Sequence, residues 1–293
     1  MKDSLFEKII KYLCIILFIL FTLGPLIWCF VITITPEYEM LKNTTSFLPS
    51  EIYWGNYKEI FDATTKSHEV LFGGLMNSLK MAALTILIGI PTAVLAGYAF
   101  YRYKFFAKNF IIKFLMITIV IPVFTTIIPI YATFARFGFL DKLFYVSIIY
   151  VSAFIPITTW IIMNYFKTLP KELLEAAEVE GLNERQIFFY VILPISYPII
   201  LTCVLMVFIM SWNQFQIPLI LLSSPENKVV TLILSEFMGR NDISYGLIAL
   251  CGLVSLVIPA IVAIIFRNKL ISGLTQGSCL LYTSDAADDA PRV

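Results

Sequence analysis

One histidine, His68, and five scattered cysteines, Cys14, Cys29, Cys203, Cys251 and Cys279, are all the imidazole and thiol chemistry that this 293-residue chain offers. No two cysteines stand at metal-ligand spacing, and an odd, scattered set does not read as a disulfide framework. Cys14, Cys29, Cys203 and Cys251 sit inside apolar runs, where a thiol is expected to be a small buried hydrophobe. His68 lies in a polar segment and reads as solvated; a single imidazole leaves His-based metal sites and Ser/His or Cys/His catalytic pairs almost no raw material. No G-x-x-x-x-G-K-[ST] phosphate loop occurs. Two segments remain whose residue types suit recognition: carboxylates with small residues between positions 164 and 195, and amides with aromatics at 211–219.

In the first of these, Thr168-Leu169-Pro170-Lys171-Glu172-Leu173-Leu174-Glu175-Ala176-Ala177-Glu178-Val179-Glu180-Gly181 reads as a short amphipathic helix. Thr168 and Pro170 fit its start, and Gly181 fits the left-handed position just past its end. Asn183, three residues before Gln186, is placed to cap a second short helix running towards Leu193 and Pro194. Leu173, Leu174, Ala176, Ala177 and Val179 are expected to form one low apolar face, rimmed by Glu172, Glu175, Glu178 and Glu180. A protruding helix with small residues at its centre can enter a groove on another protein; the alternative is an ordinary solvated loop.

The second segment, Ser211-Trp212-Asn213-Gln214-Phe215-Gln216-Ile217-Pro218-Leu219, concentrates amides and aromatics. Read as continuous helix, it puts Asn213 and Gln216 one turn apart and pairs Trp212 with Phe215 at the same spacing. Amides hydrogen-bond neutral hydroxyl-rich ligands, and an aromatic face suits the C–H surface of a sugar ring. Equally, amides can join helices to each other and a tryptophan can simply pack.

The elements that must position these residues are membrane spans. The chain is 59% hydrophobic and 14% charged, with a mean hydropathy of +0.86. Soluble domains carry roughly 45–50% apolar and about 25% charged residues, so a soluble enzyme and a disordered chain are both excluded. Six stretches reach the length of about 20 mostly apolar residues that a helical crossing needs: 12–34, 75–100, 110–134, 143–163, 196–222 and 245–266. The first follows Lys2, Lys8 and Lys11 but is too long for a signal peptide and lacks a small-x-small cleavage site, so it is a retained helix. Pro25, Pro91, Pro122, Pro129, Pro156, Pro198, Pro218 and Pro259 fall in or at the ends of spans, where each removes a donor and favours a kink. Ala82, Thr85, Gly89, Ala93 and Gly97 line one face of the second span and should let another helix approach closely. No span holds an Asp or Glu in its interior, and Lys80 and Lys113 lie near span ends where they can snorkel. A proton relay, and with it a secondary transporter or channel, is therefore disfavoured.

Basic residues orient the spans. With the N-terminus inside, the inner segments hold 12 Lys and Arg and the outer segments 7. The short loop 101–109, with Arg102, Lys104 and Lys108, is the firmest vote, and both ends fall inside. The outer segments are 35–74, around Arg136 to Lys142, and 223–244.

The string Glu175-Ala176-Ala177, then Gly181, then Val191-x-Leu193-Pro194 resembles the EAA motif of ABC-importer permeases, with Val191 where isoleucine is usual. Ser211 to Leu219 is similar to the Trp-Asn-x-Phe-x-x-Pro segment of carbohydrate permeases of the maltose type. Asn77-Ser78-Leu79, opening the second span, and Gly273-Leu274-Thr275-Gln276-Gly277 after the last are similar to the same group. The resemblance covers residues 5 to 278. It implies an all-α integral membrane protein of six transmembrane helices, the type I ABC-importer permease fold, in a bacterial cytoplasmic membrane. It further implies a second permease subunit, a dimer of ATP-binding subunits, an extracytoplasmic substrate-binding protein and a sugar substrate, with no cofactor in this chain and no nucleic acid partner. Glu175, Ala176, Ala177, Gly181, Leu193 and Pro194 would dock the ATPase, while Trp212, Asn213, Phe215 and Gln216 would face the substrate pathway. ATPase closure would then drag the loop and rotate the attached spans.

Residues 1–70 read as an N-terminal span with the first outer segment, and 71–278 as the core with its coupling loop at 164–195. The last 15 residues, Cys279 to Val293, depart from the family pattern and resemble translated sequencing-adapter read-through, which should be disordered and without function. Without them three acids and one base disappear, and the net charge of +1 becomes +3.

Overall fold

A computed structural model describes residues 5–42, 47–238 and 244–288, with side-chain surroundings up to residue 266. Lys2, Arg240 and the tail residues 289–293 lie outside the described residues. The order is α1 (Leu5–Thr33), α2 (Glu37–Lys42), α3 (Gly55–Phe61), α4 (Lys66–Arg102), α5 (Lys108–Val120), α6 (Val123–Phe137), α7 (Leu143–Lys167) and α8 (Lys171–Val179). It continues with α9 (Glu184–Gln186), a π-helical segment (Ile187–Ile192), α10 (Leu193–Ile195), α11 (Tyr197–Trp212), α12 (Gln216–Leu221), a 3-10 turn (Pro225–Asn227), α13 (Val230–Met238) and α14 (Tyr245–Asp288). The described residues contain no strand.

Four helices are singly long and apolar enough to span: Phe6–Thr33, Lys66–Arg102, Leu143–Lys167 and Tyr245–Phe266. Two bent pairs bring the number to six: Lys108–Val120 with Phe124–Phe137, and Glu184–Ile195 with Tyr197–Trp212, the latter bent by 71°. The six-span expectation holds in number, but two spans are not the continuous helices expected. Stretch 110–134 breaks at Ile121, whose extended backbone (ψ 119°) precedes Pro122, as the crowding of a proline ring on its predecessor favours. Stretch 196–222 ends at Trp212 and resumes at Gln216, with Pro218 inside the first turn of α12, where a missing N–H goes unnoticed. The prolines within α1, α4, α6, α7 and α14 instead sit in unbroken helix.

The chain divides into two compact units, Met1–Leu75 with Val230–Ile258, and Met76–Val229 with Pro259–Val293. In the first, α1 is exposed along nearly its whole apolar length and is tied down at its end. There the Thr33 and Tyr57 hydroxyls meet at 2.8 Å and Asn56 Nδ2 donates to the Thr33 carbonyl at 3.0 Å. The outward facing of α1 leaves Cys14 exposed and Cys29 half-buried, against the expectation for buried thiols; Cys251, and Cys203 in the second unit, are buried as expected. His68 is not simply solvated either: its Nδ1–H donates to the Ile60 carbonyl at 2.9 Å and its ring stacks on Phe72 with centroids 4.3 Å apart.

The second unit is organised on α7, against which α5, α11 and α12 pack. Val146, Tyr150, Phe154, Ile162 and Phe166 are its buried ridge. The small-residue face of α4 is buried as read, at Ala82, Thr85, Gly89, Ala93 and Gly97. It fits α7 closely enough that a Cβ on Gly97 would come within 3.1 Å of Ile162 Cγ2 and 3.2 Å of the Met163 backbone nitrogen. The helix α4 begins at Lys66, ahead of the apolar stretch that Asn77 was read as opening, and Asn77 is buried within it. At about 1.5 Å per residue, 37 residues give α4 a length near 55 Å, well beyond a hydrocarbon core of about 30 Å. The helix α14 runs on through Asp288, so the tail is not without structure as expected. Residues 278–288 contain no glycine or proline, and an established helix propagates at little cost through such a stretch.

Candidate functional site

The loop between α7 and α11 is built from local signals. The helix α8 ends in a Schellman motif: Gly181 N–H donates to the Glu178 carbonyl at 3.0 Å, and Leu182 N–H to the Ala177 carbonyl at 3.1 Å. Gly181 has φ +83°, a conformation that L side chains pay for, and a Cβ there would meet nothing within 4 Å. Two residues on, Asn183 and Gln186 form the expected capping box, side chain to backbone in both directions at 3.0 and 2.9 Å. Turn and cap together fix the angle between α8 and α9.

The apolar face expected on α8 is divided. Leu174 and Ala177 point inward, where α8 packs on the π segment, while Ala176 and Val179 are exposed, Val179 to 88%. Glu175, Ala176 and Gly181 are thus presented outward, and Ala177 belongs to the loop's own packing. Leu193 is half-buried and Pro194 exposed, directly after the π-helical segment. Leu193 N–H donates five residues back, to Phe188; the extra residue in that turn precedes the proline, which cannot donate at all.

Arg102, at the end of α4, was legible only as a basic residue near a span. In the structure its guanidinium pairs with Glu178 of α8 and, through Nε and a terminal nitrogen at 2.9 and 2.6 Å, with Glu184 of α9. The other Glu184 oxygen accepts from the Tyr98 hydroxyl at 3.0 Å, and the Tyr98 ring lies against Phe188 at 4.8 Å and Phe166 at 6.1 Å.

The second predicted cluster is not a helical face. Because α11 ends at Trp212, Asn213 is its C-cap and Phe215 precedes α12, so the expected Trp212–Phe215 and Asn213–Gln216 one-turn pairs do not form. Trp212 is 5% exposed and stacks on Phe208 at 5.7 Å; Asn213 is exposed, and Phe215 and Gln216 are half-buried.

Beyond α12, the loop 222–228 is held from two sides. Asp141 accepts the Ser223 and Ser224 N–H groups at 3.0 and 3.1 Å and the Ser224 hydroxyl. Asn77 Nδ2 donates to the Glu226 and Lys228 carbonyls at 2.7 and 3.0 Å. Burial pushes the Asp141 carboxyl up, but the hydrogen bonds from Ser224 and Ser223 outweigh it and hold it below the ordinary aspartate range. Among the described residues no three His, Cys, Asp or Glu side chains are placed to hold a metal ion.

Residues 89–273, which contain the loop, the Trp212 break and the Asp141 node, match the family described as binding-protein-dependent transport system inner membrane component. The chain belongs to that family. It is a membrane transport component and not an enzyme. It is 26% identical over 284 residues to the osmoprotective compounds uptake permease protein of Synechocystis, covering 94% of each chain. It is 25% identical to the trehalose/maltose transport system permease protein of Thermococcus litoralis, covering 95% of this chain and 99% of that one. Its fold is shared with a chain of a bacterial ABC transporter involved in the import of the acidic polysaccharide alginate. That match has a TM-score of 0.75 at 19% identity and covers 91% of this chain and 98% of the other. This component therefore has the ABC-importer permease fold.

Proposed function

We propose that this chain is the permease of an ATP-driven importer for a sugar or oligosaccharide and docks onto a separate ATPase through Glu175, Ala176, Ala177, Gly181, Leu193 and Pro194. The observation that carries the docking reading is the rigid α8–Gly181–α9 element, which turns Glu175 and Ala176 outward while Leu174 and Ala177 anchor it. A groove on an ATP-binding subunit takes this low-relief helix, and Ala177 acts from behind as packing. Closure of an ATPase dimer displaces the element, and Pro194 passes the motion to α11. ATP is held by those partners; this chain contributes no phosphate loop. A second permease subunit completes the pathway, and an extracytoplasmic binding protein delivers the substrate. Both termini are cytoplasmic, the orientation that Arg102, Lys104 and Lys108 favour.

The sugar reading draws on relatives named for trehalose/maltose, trehalose and lactose transport. Asn213 and Phe215 in the α11–α12 break and Gln216 at the start of α12 supply amide and aromatic groups, with Trp212 as their support. Another small polar solute is the second reading, favoured by the Synechocystis relative's name. Residues 71–278 act as the transport core, and 279–293 take no part. The test is reconstitution with ATPase, partner permease and binding protein: hydrolysis should be stimulated by maltose or trehalose. Stimulation by non-sugar osmolytes alone would replace the substrate class, and transport without any ATPase would overturn the reading.

A further inference from the structure

Arg102 joins three elements that sequence keeps far apart: Glu178 and Glu184 are 76 and 82 residues away from it. The two carboxylates stand on opposite limbs of the Gly181 turn, one on α8 and one on α9. A guanidinium is a planar fork with several fixed donors, so holding both at once sets the position of the turn relative to α4 as well as the angle within it. Isolated surface ion pairs contribute little stability, and these side chains are a quarter to a half exposed. The arrangement is therefore significant for geometry more than for stability. Removing the charge would leave Glu178 and Glu184 repelling each other across a turn closed by its own Schellman and capping-box bonds, with Tyr98 the one named tie left from α4. Tyr98, donating to Glu184 one turn earlier on α4, makes the contact a two-point attachment.

Resting on the docking reading above, we propose that Arg102 is a positioning residue that locks the α8–α9 loop to the end of α4, so that this span moves with the loop as one body when the ATPase closes. The chain thereby has two outputs from one input, α11 through Pro194 and α4 through Arg102.

The test places spin labels at Leu95→Cys, exposed on α4, and Lys171→Cys, exposed at the start of α8. The native cysteines are replaced by alanine, in the full complex with its ATPase and partner permease. With wild-type Arg102 the distance between labels should be the same with and without ATP. In Arg102→Gln, ATP should bring out a second, shifted distance, a response that mere loss of stability does not produce. Arg102→Lys, which keeps the charge but not the fork, should show it to a lesser degree. An ATP-dependent distance in the wild type, or an Arg102→Gln profile identical to wild type, would overturn the proposal. Should Arg102→Gln not assemble, Glu184→Gln decides by the same readout. If no ATPase co-purifies with the wild-type chain, the docking reading itself fails, which is a different result from an intact complex that ignores Arg102.

Discussion

Asp141 and Ser224, 83 positions apart, are bound twice, through the Ser224 backbone N–H at 3.1 Å and through its hydroxyl. Asp141 also has φ +60°, a conformation a non-glycine residue keeps only where its surroundings enforce it. The folded-state carboxyl is held below its ordinary range, so its contribution is present above that range and lost as pH falls through the lower, folded value. Asp141→Asn should lower the melting temperature of the purified protein at pH 7. The gap to wild type should begin to narrow below about pH 4, where the unfolded chain's carboxyl takes up its proton, and close only as pH falls past the lower, folded value. A gap that is constant from pH 7 down to the acid limit would rule out this role.

Gly97 and Gly89 make a paired test of the α4–α7 contact. A Cβ at Gly97 meets the Met163 backbone nitrogen at 3.2 Å, which cannot swing away, whereas at Gly89 the nearest atom is Val151 Cγ2 at 3.9 Å, ordinary contact. Gly97→Ala should cost about 1–3 kcal/mol of stability, as overpacking does, and Gly89→Ala almost nothing. Equal melting temperatures for the two variants would show that α4 and α7 are not held this closely.

At Gly181 the test isolates backbone conformation, because nothing lies within 4 Å of a Cβ there. Gly181→Val carries left-handed strain of at least about 1–2 kcal/mol, relieved by reopening the turn, while Gly181→Asn is better tolerated. Sugar imported per ATP hydrolysed should fall in Gly181→Val with membrane content unchanged, and Gly181→Asn should lie close to wild type. Normal coupling in Gly181→Val would remove the turn from the mechanism.

These sites differ in how far the sequence revealed them. Gly181 and the Asn183–Gln186 box were legible because helix ends are local: the signals lie within four residues of the bonds they make. The small face of α4 was legible because a repeat of three and four residues defines one side of a helix whatever packs on it. Arg102 and Asp141 were not, since a charge in a loop gives no sign of a partner some 80 positions away. The break after Trp212 was hidden for a different reason. Pro218 resembles the prolines that α4 and α7 carry without interruption, and only the tertiary environment decides whether a proline kinks a helix or starts one.

The outward surface of α8 makes the docking reading testable by size and charge. Ala176 is exposed and small, so Ala176→Arg should obstruct a groove without disturbing the loop's own core at Leu174 and Ala177. Glu175→Lys reverses a charge on the same surface. Each should reduce the ATPase that co-purifies by roughly tenfold, equivalent to about 1.4 kcal/mol of binding, at unchanged membrane content. Undiminished co-purification in both would place the ATPase contact elsewhere.

Trp212 and Asn213 are neighbours in sequence with opposite surroundings, and this separates support from contact. Trp212 is buried and stacked on Phe208, so Trp212→Ala opens a cavity and should cost about 3–5 kcal/mol, read as a lower melting temperature. Asn213 is exposed at the end of α11, so Asn213→Ala should change stability by less than about 0.5 kcal/mol. If Asn213 offers its amide to substrate, the same change raises the sugar concentration that half-saturates transport, because a hydroxyl loses its partner. An Asn213→Ala variant with wild-type stability and wild-type half-saturation would move the substrate contact off this break. The pathway would then be assigned to the partner permease, with Trp212 left as packing alone.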